Sequence, residues 1–164
     1  MTQITCLREP AHSKRVIHKT RIPPKFLESS QSKLGNLYIH ETSDLLASLT
    51  SGAASLQNNH LNTVLANAEW HFGNRYSATF GWFNTSGTVD PLLYAASPVS
   101  GSANGSPHSA GYIANFSYWP WQNLQLAAQY IGYTRFNGGS TNYDSSFRNA
   151  NGNNTIYLDA KFLF

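Results

Sequence analysis

Two alternations restrict what this chain can fold into: apolar residues at every second position within segments, and short and long connections taken in turn between segments. From Ile156 onward Ile156, Leu158, Ala160, Phe162 and Phe164 alternate with Tyr157, Asp159, Lys161 and Leu163. A period of two describes a strand with unlike faces. The same rule marks strands at residues 62–72, 75–84, 110–119 and 123–136, and a less regular sixth candidate at 37–49. Within the sixth, "LLASL" (45–49) is the one place in the body where a short helix could begin.

The connections sharpen the reading. Gly73-Asn74 forms a two-residue hairpin turn, and residues 120–122 make a second short link. Residues 86–109 and 137–153 are polar stretches of 24 and 17 residues, lengths uncommon inside compact soluble domains. Strict alternation puts tight turns at one end of the sheet and long loops at the other, the asymmetry of outer-membrane barrels. The expected fold is therefore all-β: an antiparallel up-and-down meander of five to six strands, a partial transmembrane β-barrel, preceded by a disordered basic N-terminal segment.

Charge supports the division. Residues 1–36 carry seven Lys and Arg against two Glu, a net +5, whereas residues 37–164 carry four basic and six acidic side chains, a net −2. The basic isoelectric point belongs to the head. That head is interrupted by Pro10, Pro23 and Pro24, and it lacks both aromatic interleaving and helical period. It is expected to be a disordered or adventitious segment, not a nucleic-acid arm. It has no apolar run of the roughly 7–15 residues of a secretory signal, and no stretch approaches the ~20 apolar residues of a membrane helix. The single Cys6 excludes an internal disulfide, a Cys-rich zinc site and a CxxCH haem attachment.

Aromatic side chains sort by height, as lipid-facing girdles do. Trp70, Phe72 and Tyr76 surround the Gly73 turn, Tyr118, Trp119 and Trp121 surround Pro120, and Phe162 and Phe164 fall at the same level. Trp82, Phe83, Tyr112, Tyr130, Tyr133 and Phe136 mark the upper ends, with alanines between. Turning Lys161 toward lipid at the bilayer midplane would cost up to about 2–4 kcal/mol, and Asp159 less. The expected lumen lining is Asn67, Glu69, Ser77, Thr79, Asn115, Ser117, Gln125, Gln129, Asp159 and Lys161. The expected lipid-facing girdle is Trp70, Phe72, Tyr76, Trp82, Tyr118, Phe162 and Phe164.

No catalytic, cofactor or metal site is expected. The six histidines are scattered without ligand spacing; His71, two residues after Glu69 on one strand face, can meet it, but two ligands complete no site. No residue context supports Ser/His/Asp chemistry.

The ending "TIYLDAKFLF" resembles the C-terminal signature of bacterial outer-membrane β-barrel proteins, which the barrel-assembly machinery recognises. More narrowly, "GWFNTSGTVDPLLYAASPVSGSANGSPHSAGYI" and "YTRFNGGSTNYDSSFRNANGNNTIYL" resemble the last hairpins of a proteobacterial group of barrel proteins often labelled cytochrome c. The resemblance covers residues 37–164 and implies a porin-like passive channel in its complete form, with outer-membrane lipid and the assembly machinery as partners. This chain has no haem-binding motif, and a closed barrel needs at least eight strands. It is thus expected to be a truncated C-terminal part, whose function alone stays open, and its export is open for want of a signal. Two alternatives stand beside the channel: a barrel sleeve around a periplasmic electron carrier, and a soluble aromatic-rich β-sandwich that binds carbohydrate.

Overall fold

A computed structural model describes residues 13–21 and 32–162 of the chain. Phe164, expected in the girdle, lies outside the described residues. Strands β1 (Ser13–Arg21), β2 (Ser32–Asp44), β3 (Asn58–Phe72), β4 (Tyr76–Gly87), β5 (Ser109–Trp121), β6 (Leu124–Arg135) and β7 (Thr155–Phe162) follow in order. Each pairs antiparallel with the next, giving one open sheet in the order β1 to β7. The expected all-β antiparallel meander is what the chain adopts. Its irregular stretch at 37–49 divides into the end of β2 and a five-residue helix α1 (Leu46–Thr50), so "LLASL" does begin a helix and only a short one.

One stretch departs from the expectation. Ser13–Arg21 falls within the segment 1–36 read as disordered, yet it pairs along its length with 35–43 of β2. Its Lys and Arg content argues against a buried strand, but β1 is an edge strand, where such residues are common.

Among the described residues the long connections, 45–57, 88–108 and 136–154, leave one end of the sheet. At the other end the links within 73–75 and 122–123 are short. The first is one residue longer than expected, with Gly73 at φ 58°, a left-handed conformation natural to glycine. Near the second, β5 carries a bulge between Tyr118 and Trp121. Pro120 sits inside it, having no N–H for a ladder bond.

Directly opposed residues in antiparallel strands share a face. The register therefore builds a polar face and an apolar face, in which burial runs opposite to that of a soluble core. Ser77 and Ser117 on the polar face are 3% and 5% exposed, whereas Phe80 and Leu158 on the apolar face are 53% and 82% exposed. Of the buried apolar residues, Leu45, Ala54, Tyr143 and Ala150 lie in the loop-end connections and Ile39 lies on β2.

One row across the polar face has a particular shape. Gly35, Asn67 and Gly81 stand side by side on β2, β3 and β4. A Cβ on Gly35 would run into Asn67 Oδ1, and one on Gly81 would lie 3.2 Å from Asn67 Cβ. Gly35 leaves the room that the amide occupies, and Gly81 admits the close approach of Asn67 Cβ and the Ala66 carbonyl.

Candidate functional site

Three registered rows bring together the residues expected to line a lumen. Glu69, Thr79, Asn115 and Gln129 are successive neighbours across β3 to β6. Below them run Ser77, Ser117, Ala127 and Asp159, and Gln125 stands opposite Lys161. Asn67 occupies the glycine-flanked row above. All ten share one face. Ser117 Oγ donates to Asn115 Oδ1 at 3.1 Å.

Charges on this face are compensated locally. His71 Nε2 lies 3.2 Å from Glu69 Oε1, the contact their spacing predicts, and Lys161 Nζ lies 3.1 Å from Asp159 Oδ2. Residues two apart on a strand project from the same side, so each carboxylate finds its partner within its own strand. Lys33 is registered opposite Glu69 as well. The result is a polar face of small dipoles and locally partnered charged side chains.

On the other face stand Trp70, Phe72, Tyr76, Trp82, Tyr118 and Phe162, the six described members of the expected girdle. Tyr76 stacks on Tyr118 with centroids 4.8 Å apart, and Phe80 on Tyr112 at 6.4 Å. Between aromatic rims, Ala78, Ala114 and Ala128 floor a shallow depression of about 390 Å³. The upper aromatics divide between faces. Trp82, Tyr112 and Tyr130 are on the apolar side, but Phe83 pairs with Leu65 and Gly111, and Gly111 with Tyr133, which places Phe83 and Tyr133 on the polar face.

Those two rings start a contact chain into the loops. Phe83 meets Tyr133 edge to face at 5.5 Å, Tyr133 meets Phe136 at 5.0 Å, and Phe136 meets Tyr143 at 5.0 Å. Tyr143 is almost wholly buried, and its hydroxyl lies 3.0 Å from the Val99 carbonyl. From the other side Asn59 Nδ2 donates to Tyr94 Oη at 2.9 Å. The long loops thus lean onto the polar face and lock together there.

Two buried carboxylates hold the lock, and neither was singled out from sequence. Asp90 accepts from the backbone N–H groups of Ser55, Leu56, Leu92 and Leu93 at 2.8–3.1 Å, so it ties 45–57 to 88–108. Burial alone would raise its pKa, but these N–H donors outweigh it and hold the carboxyl at about 2, below its ordinary 3.8. Asp144 accepts from Val99 N at 3.0 Å and Ser146 N at 2.9 Å, joining 88–108 to 136–154. Against the effect of burial, its backbone donors likewise hold its pKa below the usual range. A signal for Asp90 existed: Asp followed by Pro in "TVDPLL" is a turn opener. Burial pushes the neighbouring Tyr94 hydroxyl upward in pKa, although Asn59 opposes the shift.

Among the described residues no group of three or more His, Cys, Asp or Glu is placed to hold a metal ion, and no helix is long and apolar enough to cross a membrane, which says nothing of crossing by strands. No family model matches the chain, and neither curated proteins nor solved structures give a match.

Proposed function

We propose that this sheet is part of the wall of an outer-membrane β-barrel whose polar face lines a water-filled, porin-like passive passage. The observation that carries the reading is the inverted exposure of the two faces: large apolar side chains outward and unpartnered, small polar and paired charged ones inward. In water an uncovered band of this kind is a liability; in lipid it is the solvated state. A sandwich would bury the band against a second sheet, and all described strands belong to one sheet.

Dimensions agree. On β3 the apolar-face positions from Val64 to Phe72 span nine residues, about 27 Å of strand at roughly 3.4 Å per step. Tilted by ~40°, that becomes a band of about 20 Å, close to the ~25 Å apolar belt of outer-membrane barrels. The interlocked loops then stand outside the membrane and the tight turns face the periplasm. Seven strands fall one short of the smallest closed barrel, so closure brings further strands to the β1 and β7 edges. Lipid is the partner of the apolar face, and the assembly machinery is the partner of the closing strand. Within this reading the protein is a conduit and not an enzyme.

The test is partitioning followed by conductance. The chain should require detergent or lipid to stay dispersed, and the closed barrel that completes its sheet should give, in planar bilayers, ohmic steps whose ion selectivity shifts when Glu69 or Lys161 is neutralised. A stable monomer in detergent-free buffer would refute the proposal.

A further inference from the structure

Toward the loop end the apolar face becomes polar. On β2 Tyr38 is followed on that face by His40 and Thr42, and on β3 Val64 is preceded by Asn62 and His60. Register sets His40 opposite Asn62 and Thr42 opposite His60, so the two histidines are diagonal neighbours on one face. Their rings lie within 12° of parallel with centroids 6.0 Å apart.

Hydrogen bonds select one form of His40. Asn62 Oδ1 accepts from Tyr38 Oη at 2.8 Å and lies 2.6 Å from His40 Nδ1. An amide oxygen can only accept, so Nδ1 carries the hydrogen and Nε2 keeps its lone pair. Metal-binding histidines are commonly oriented in this way, one ring nitrogen donating to an oxygen while the other faces the ion. Among the described residues no group hydrogen-bonds the His60 ring, which is exposed and free to turn toward Nε2 of His40.

We propose that His40, half-buried, and His60, exposed, form a two-histidine site for a divalent transition-metal ion, copper(II) foremost. Imidazole nitrogens suit copper, nickel and zinc, and copper binds tightest along that series. Two protein ligands leave the remaining positions to water, so the ion is exchangeable and not structural. Binding forms two coordinate bonds from neutral imidazole lone pairs and needs no redox partner. Asn62 is a positioning residue that acts through His40. The assignment does not depend on the membrane reading, since it rests on strand register and the hydrogen bond that orients His40.

The experiment is a copper(II) titration of the full chain, in whichever medium disperses it, read by calorimetry and electron paramagnetic resonance. The expected spectrum carries coupling to two imidazole nitrogens. His40→Ala and His60→Ala should each weaken binding at least about tenfold, and Asn62→Ala about tenfold, with Asn62→Asp restoring it because a carboxylate also accepts from Nδ1–H. His108→Ala should leave affinity unchanged. His40→Gln and His60→Gln, with far-ultraviolet circular dichroism, separate loss of ligand from loss of fold. Wild-type affinity retained in folded His40 and His60 variants, or a spectrum with one imidazole nitrogen, would overturn the proposal.

Discussion

Replacing Asp90 by alanine tests the loop cap at its tightest point. The carboxylate accepts from four backbone N–H groups, two of them thirty-four or more residues away in sequence. Bonds to a charged acceptor are worth about 1.5–3 kcal/mol each, and with freed amides partly rehydrated about 1 kcal/mol each remains, a local loss of about 4 kcal/mol. Hydrogen exchange reads this directly. In Asp90→Ala the amides of Ser55, Leu56, Leu92 and Leu93 should lose protection by up to about a thousandfold, at 1.36 kcal/mol per decade. Amides at the centres of β3 to β5 should not change, because their ladder bonds do not involve the cap. Asp90→Asn, which keeps one acceptor oxygen but puts an NH₂ against the donors, should fall between. Unchanged protection at all four amides would refute the argument that this carboxylate joins the loops.

The same residue predicts a pH effect. Its folded pKa of about 2 lies below the ordinary 3.8, so its stabilisation is complete above about 3.8 and is lost as pH falls through that value toward 2; cap-amide protection relative to intrinsic exchange, followed from pH 5 to 2, should fall in wild type and not in Asp90→Ala. Val99 holds φ 73°, unfavourable for a β-branched residue, so Val99→Gly should stabilise the cap by about 1 kcal/mol, seen as slower proteolytic nicking of 88–108. Phe80→Arg, in the exposed apolar band, should cost about 2–4 kcal/mol in lipid-reconstituted protein, whereas Thr79→Arg on the polar face should cost far less; equal costs in a chemical-denaturation series would contradict the proposed sidedness.

The strands and their faces were legible because period two is a local signal that tertiary structure had no reason to override. Every residue from Asn67 to Lys161 assigned to the polar side shares it in the register. Phe83 and Tyr133 were misplaced because aromatic character was weighed ahead of parity: each lies one residue out of phase with the girdle. The basic stretch 13–21 gave no apolar alternation, and its pairing depends on β2 offering an edge. The cap was the least legible part. Asp90, Tyr143 and Asp144 meet partners some 35 to 45 residues away, and no periodicity carries such contacts. "TVDPLL" marked a turn, but nothing local revealed which backbone would close on its carboxylate.

A sheet written in period two is protected against slipping by one residue, which would exchange its faces, but a slip by two leaves polar and apolar sides as they were. The row Gly35, Asn67, Gly81 closes that gap. Shifted by two, Asn67 would confront Lys33 or Leu37 on β2, with a Cβ where its amide must lie, and Thr79 or Phe83 on β4, with a Cβ crowding its own Cβ. The asparagine works as a key cut for two glycine notches. It indexes three strands at once, and it lets a repetitive pattern recognise its own correct alignment.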